Sequence, residues 1–496
     1  MSGKRVKLAL SGLVALFGIN VLAAQFEPTW ESLAEAPVPE WWDQGKFGIF
    51  IHWGPYSVAG YKDGHRGYAE AITADMYKRP ERYTDFMIEK FGATMPEFGY
   101  KDMVPMFTAK NWDPVAWAKL FKDAGATYVI PTGEHHDGFV LWDSELTPWT
   151  ATKKGPKRDL IGDLGKAVRA EGMKYGISYH RERHPDRFTR ETGLIDEEIK
   201  RMPEAASLYG PFEYDDAFIA DYVARWKEAE TKYQPDFLWI DDVPFLREDG
   251  PQVAKFETAF KEMIADYLNT AQKWGKQVYF NNKGKTINWP KGVGCVEADN
   301  LQLDAIGPRW QNPATLGTSY AYMENEEINE LYKTPAELIH LLCDVVSKNG
   351  NLLLNIGPKA DGTIPEGMQT RLLAMGEWLK VNGEAIYGSK PWKTYGEWSG
   401  ELIEDEAGVV HTSHSMYIHE KEFRFTAKED VIFIIAFQPL EQDVVLVSFK
   451  GFDQDIKSIS LLGSDITVEW DMTSAGLKLS ANDAPFRLAA VYKLEL

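Results

Sequence analysis

Eight short, strand-prone apolar runs alternate with amphipathic helical stretches along residues 47–356, and this rhythm constrains the fold more than any other feature of the chain. The runs occupy residues 47–53 (FGIFIHW), 127–132 (TYVIPT), 174–179 (KYGISY), 237–241 (FLWID), 277–281 (QVYFN), 294–297 (GCVE), 319–322 (SYAY) and 351–356 (NLLLNI). Between them, residues 114–124, 162–171, 218–233, 254–274 and 335–347 space apolar side chains by three and four, the period of a helix with one buried face. Strands that are apolar throughout belong to a parallel sheet covered by helices. Eight strand–helix repeats therefore predict an α/β fold, a (β/α)8-like barrel. A doubly wound open sheet shares the alternation, but no Gly-x-Gly-x-x-Gly turn follows the first run, so a dinucleotide fold loses its main support.

The rhythm ends near Tyr387. Beyond it, alternating runs at residues 431–436, 443–449, 456–462, 466–470 and 486–496, most of them separated by Gly, Asp and Asn, predict a C-terminal antiparallel β-sandwich. The expected division is a catalytic barrel over residues 25–388 and a sandwich over 389–496. Residues 181–216 interrupt the barrel with charges and with Pro185, Pro203 and Pro211; they read equally as a cover over the barrel's top face or as a surface insertion without a role. At the other end, Lys4, Arg5 and Lys7 precede an apolar stretch over residues 8–22 and the small pair Ala23 and Ala24, the layout of a secretory signal peptide over residues 1–24. The stretch is short for a membrane anchor. The expected location is thus exported, periplasmic or extracellular, where Cys295 and Cys343 are equally compatible with one disulfide or two buried thiols. With 74 acidic residues against 54 Lys and Arg, the net charge of -20 argues against a nucleic-acid partner and against docking on an anionic membrane. It assigns no oligomeric state.

Chemistry in such a barrel gathers at the carboxyl ends of the strands. Polar residues do gather there: His52 and Trp53 after the first run, Glu134, His135, His136 and Asp137 after the second, Tyr179 after the third, Asp241 and Asp242 after the fourth, Asn281, Asn282 and Lys283 after the fifth, Glu297 after the sixth and Tyr320 in the seventh. One buried histidine or aspartate is ordinarily a satisfied core group. The same end of seven runs is not explained that way. Two carboxylates on different strands suit glycoside hydrolysis, in which one attacks the anomeric carbon or holds water while the other protonates the leaving oxygen. Trp53, Trp142, Trp239 and Tyr320 offer flat faces to a sugar, and His52, His135 and His136 offer donors to its hydroxyls. A metal site on the histidines and Asp241 competes with this reading. Adjacent histidines diverge, no His-x-His or His-Glu-x-x-His spacing occurs, and a nearby lysine repels a cation, so no metal is expected.

Four motifs sharpen the reading: FGIFIHWGPYSV (47–58), EHHDGFVLWDS (134–144), YQPDFLWIDD (233–242) and LLCDVVSKNGNLLLNIGPKADGTIPE (341–366). Together they resemble the α-L-fucosidases of glycoside hydrolase family 29 over most of residues 40–390. The resemblance implies a (β/α)8-like barrel followed by a β-sandwich, no cofactor, and a retaining two-step mechanism on a fucosylated glycan or polysaccharide. It places the nucleophile on Asp241, with Asp242 as a departure beside it, and the acid/base on Glu297, with Asp299 and Asp304 as alternatives. It places sugar contacts on His52, His135, His136 and Tyr179, on Glu70 where Ala71 replaces the usual Trp, on Lys283 in place of an Arg, and on Tyr320 against the fucose methyl. Two other readings stand beside it: an inert fucose-binding protein on the same scaffold, and a hydrolase of a related α-L-glycoside such as an α-L-galactoside.

Overall fold

The computed structural model describes residues 25–64, 68–241, 250–283, 293–297, 306–402, 419–480 and 486–496. The segment read as an export signal, and Asp242, Asp299 and Asp304, lie outside the described residues. Strands β1 (Phe47–Ile51), β2 (Tyr128–Glu134), β3 (Lys174–Tyr179), β4 (Phe237–Ile240), β5 (Tyr279–Lys283), β6 (Cys295–Glu297), β7 (Trp310–Thr315) and β8 (Gly350–Ile356) close in sequence order into a parallel barrel, with β8 pairing back onto β1. Helices pack outside it, among them Pro114–Asp123, Leu160–Ala170, Asp216–Tyr233, Pro251–Lys273 and Pro335–Ser347. Several begin on residues suited to the task. Asp113 and Asp159 accept backbone N–H groups at their helix starts, and Thr334 forms a reciprocal capping box with Glu337.

The seventh strand is not residues 319–322. It is Trp310–Thr315 (WQNPAT), whose two amides and proline conceal it from any pattern of apolar runs. Among the described residues β7 pairs with β6 at Trp310 and Gln311, and Pro313 lies beyond those pairs while facing Leu353 of β8. Residues 319–322 lie instead in the loop after β7, which carries Tyr320 to the barrel mouth.

Side-chain parity sorts the barrel into two layers. Phe50, Tyr128, Ile130, Phe237, Trp239, Tyr279, Cys295 and Leu353 fill the interior. Their neighbours Ile49, Ile51, Val129, Ile177, Leu238, Ile240, Phe280, Leu352 and Leu354 face the helices. Cys295 thus lies inside the barrel and Cys343 lies on the helix Pro335–Ser347; both are free, buried thiols.

The second unit starts at β9 (Lys390–Leu402). With β10 (His419–Lys428), β11 (Val431–Ala436), β13 (Ser458–Leu461) and β16 (Ala490–Glu495) it forms a five-stranded antiparallel sheet in the order β13-β16-β11-β10-β9. A second sheet, β12 (Val444–Leu446), β15 (Gly476–Leu479) and β14 (Trp470–Thr473), shares one apolar core with the first. The sandwich is fastened to the barrel by buried polar contacts. Arg424 of β10, which also donates from Nη2 to Glu422 of its own strand at 3.0 Å, donates from Nε to Asp344 at 2.7 Å, while Trp378 Nε1 donates to the Ala489 carbonyl at 2.9 Å.

Residues 181–216 form short helical turns packed over the barrel's upper rim. Their Glu198 is buried, accepts from Tyr77 Oη at 2.9 Å and from Tyr209 Oη, and lies 3.7 Å from Lys101 Nζ.

Candidate active site

A pocket of about 470 Å3 opens at the carboxyl end of the barrel, within the size range of small-molecule sites. Inward parity builds its floor. His52 continues the inward series of Phe50, Asp241 that of Phe237 and Trp239, and Glu297 that of Cys295; all of them except Phe237 and Cys295 line the pocket. Asn281 secures the end of β4; among the described residues β4 and β5 pair at Phe237 and Leu238. Its Oδ1 accepts from Ile240 N at 2.6 Å and its Nδ2 donates to Ile240 O at 3.0 Å, which fixes the backbone one residue before Asp241.

The same parity corrects the third strand. Tyr179 does not reach the pocket: its hydroxyl donates to Tyr222 O at 2.8 Å and its ring packs on Tyr222 and Trp226 in the helix layer. The inward residues are Ser178 and His180, hydrogen-bonded to each other, and His180 lines the pocket. The signal was present in the sequence, since apolar Ile177 assigns odd positions of β3 to the helix layer. Trp53 and Trp142 are likewise outside. Trp53 packs among Phe107, Trp112 and Trp117 with Nε1 donating to Lys359 O at 2.7 Å, and Trp142 donates to Glu228 at 2.8 Å. Trp239 and Tyr320 do line the pocket, and Tyr320 lies parallel to Tyr68 at 5.7 Å. The backbone of Lys283 pairs with that of Glu297 across β5 and β6.

Four histidine rings, His52, His135, His136 and His180, cluster beside Asp241, with centroids of adjacent rings 4.6–5.7 Å apart. Their partners set their tautomers. Asn355 Nδ2 donates to Tyr320 O at 2.7 Å, so its Oδ1, 2.7 Å from His52 Nδ1, accepts; His52 Nδ1 is protonated, and in the neutral ring the lone pair falls on Nε2. His136 Nδ1 faces the His180 carbonyl and must donate, which turns Nε2 toward Asp241 Oδ2 at 3.2 Å. Nε2 and a carboxylate oxygen hydrogen-bond only through a shared proton, and burial pulls His136 toward neutrality while Asp241 opposes it. Burial and the neighbouring imidazoles keep His135 well below the usual histidine range, hence neutral.

Behind the histidines lies a buried ionic brace. Glu134 Oε1 accepts from Arg181 Nη1 at 2.8 Å and from Arg225 Nη1 at 3.0 Å, and both arginines also reach Asp221. It ties the end of β2, and with it the His135–His136 turn, to the helix Asp216–Tyr233.

Glu70 also lines the pocket. It is buried, accepts from Ala321 N at 3.1 Å, and desolvation pushes its pKa up to about 7. The unfolded chain releases this proton near the ordinary glutamate value of 4.5, so between about 4.5 and about 7 the folded protein binds more protons than the unfolded one. The favourable contribution is therefore complete below about pH 4.5 and is lost as pH rises through about 7, a change of roughly 3 kcal/mol. Glu70→Gln is expected to remove this slope: in urea melts compared at about pH 5 and about pH 7.5, the variant loses less stability across the interval than the parent. Equal losses would show that the Glu70 carboxyl is not held protonated.

Two sets of donors, His52 with His135 and His180, and His136 with His180 and Asp241, bring their ligand atoms within 4.8 Å and have the chemistry to hold a cation. They come from separate strands and turns, so no spacing motif announces them. A cation on the second set would occupy the Asp241 carboxylate.

A profile described as "Alpha-L-fucosidase" matches residues 15–384, beginning inside the segment read as an export signal. The α-L-fucosidase of Dictyostelium discoideum is 33% identical over 404 residues, covering 78% of this chain and 80% of that protein. The tissue α-L-fucosidase of Mus musculus is 34% identical over 393 residues, covering 75% and 76%. Among solved structures, the Thermotoga maritima α-fucosidase in complex with a mechanism-based inhibitor superposes with a TM-score of 0.74 at 31% identity, covering 95% of this chain and all of that one. The similarity thus spans both the barrel that brings Asp241 and Glu297 into one pocket and the sandwich behind it, and the chain belongs to the α-L-fucosidase family of glycoside hydrolases.

Proposed function

We propose that the enzyme is an exo-acting, retaining α-L-fucosidase that removes terminal α-L-fucosyl units from oligosaccharides or polysaccharides by double displacement. The observation that carries this reading is the convergence of Asp241 and Glu297, from the ends of β4 and β6, on one pocket. Asp241 Oδ bonds to the anomeric carbon as the glycosidic C–O bond breaks, and the carboxyl proton of Glu297 goes to the departing oxygen. Glu297, now a base, takes a proton from water; the water oxygen bonds to the anomeric carbon, the ester to Asp241 breaks, and fucose leaves with its configuration retained. His52, with its lone pair on Nε2, accepts from a sugar hydroxyl. Phe50, Tyr68 and Tyr320 form the apolar wall suited to the fucose methyl, which disfavours the extra hydroxyl of an α-L-galactoside.

The reading is tested with aryl α-L-fucoside and α-L-galactoside, following the first-formed sugar by proton NMR. Fast release of α-L-fucose ahead of its mutarotation is expected. Release of the β-anomer would overturn retention, and hydrolysis of neither substrate would overturn the enzyme reading. We further propose export of the mature chain after cleavage near Ala24 or Gln25, which an intact mass retaining residues 1–20 would contradict.

A further inference from the structure

In a protein of net charge -20, one wall of the active-site pocket is basic. Lys78, at the end of the helix Ile72–Lys78, joins Arg183 and Arg187 from the segment over the barrel's rim. Two of the three, Lys78 and Arg187, have carbonyl partners and no carboxylate of their own among the described residues. Lys78 Nζ donates to a carbonyl, that of Asp186, at 3.0 Å, and Arg187 Nη2 donates to the Glu70 carbonyl at 3.2 Å. Among the described residues, neither has a carboxylate within ion-pairing distance. Arg187 Nε is buried without a hydrogen-bond partner. Four acids face them, and each is partly committed: buried Asp137 accepts from Phe139 N at 3.0 Å, and burial pushes its pKa up to about 6. Asp186 lies 3.4 Å from Arg183 Nη2 and accepts from Tyr214 Oη at 2.7 Å, Asp75 is bound to Lys62, and the Glu70 carboxyl is held toward its neutral form. The three cations also repel one another, and an anion shared among them would relieve that repulsion. Ala71, with only a methyl group, leaves room on the same wall.

We propose that this wall is an anion subsite, and that the enzyme's preferred substrates carry a sulfate ester on the fucosyl unit or on the sugar next to it. A sulfate ester is a single negative charge spread over oxygens that accept from an arginine fork and an ammonium together. This rests on the fucosidase reading and names its substrate class. It also gives the segment over the rim a function: that segment supplies two of the three cations.

The test uses the full chain in two measurements. Calorimetry compares L-fucose with L-fucose bearing a sulfate ester on each free hydroxyl in turn. Kinetics compare kcat/KM for a neutral fucosyl disaccharide and for the same disaccharide sulfated on its second sugar. At least one sulfated probe is expected to surpass its neutral counterpart by about ten- to a hundredfold. That ratio should contract with added salt and fall toward one in Arg187→Met and Lys78→Met, made separately so that a fold defect in one leaves the other informative. The arm that shows the preference identifies which sugar carries the ester. Neutral probes equal to or better than every sulfated one, or a ratio unchanged in both variants, would overturn the subsite. No turnover of any fucoside alongside a retained binding preference for sulfate would overturn the fucosidase reading and leave the subsite standing.

Discussion

In Asp241→Gly, hydrolysis of an aryl α-L-fucoside is expected to fall by about 10^4-fold or more, the scale of loss when a covalent nucleophile is removed. The position allows no substitute. Asp241 is a carboxylate that the inward series of β4 carries into the pocket, one residue beyond the Asn281 clamp and 3.2 Å from His136 Nε2. Glycine also opens the face from which the carboxylate attacked. Added azide should enter there and give a fucosyl azide of inverted configuration, showing that the variant is folded and that only the nucleophile is missing. Near-normal hydrolysis in Asp241→Gly would remove the residue from the mechanism.

The second large effect depends on the substrate. Glu297→Ala should slow cleavage of a fucosyl disaccharide by about 10^2–10^4-fold, the ordinary contribution of a general acid, because a sugar alkoxide does not depart unprotonated. Formation of the fucosyl-enzyme from an aryl fucoside with a strongly acidic phenol should hardly change, since that leaving group needs no proton. Azide then attacks the accumulated intermediate, from the side water would have used, and gives the azide of retained configuration. A loss of equal size on both substrates would reassign the acid role, with Asp299 and Asp304 next in line.

Periodicity made most of the barrel legible because seven of its strands are short apolar runs and its helices carry one clear buried face. β7 escaped because its function is polar. Gln311 points inward, where its Oε1 accepts from Tyr128 Oη at 2.7 Å and from Trp42 Nε1 at 3.4 Å, so the strand lacks an apolar signature. The error at Tyr179 had another origin. Tyr179 ends its run where the site is expected, yet alternation from Ile177 puts it in the helix layer, and one step along the chain exchanges that layer for the pocket. Trp53 and Trp142 show the same ambiguity, since a tryptophan that packs between strand and helix resembles one that stacks on a sugar. Asp241 and Glu297 were readable because they extend inward series already marked by Trp239 and Cys295. The basic wall was not readable at all. Lys78, Arg183 and Arg187 belong to different segments within a strongly acidic chain, and only folding gathers them.

The central claim, that Asp241 becomes covalently bonded to the sugar, is tested most directly by trapping. A fucosyl fluoride with a second fluorine beside the anomeric carbon forms the ester quickly, through its good leaving group, yet hydrolyses it slowly, because the fluorine destabilises the positive charge of both transition states. Digestion and tandem mass spectrometry of the inactivated enzyme should find one fluorofucosyl group per chain, on Asp241. A label on Asp242 or any other residue, or complete turnover without an adduct, would contradict the account.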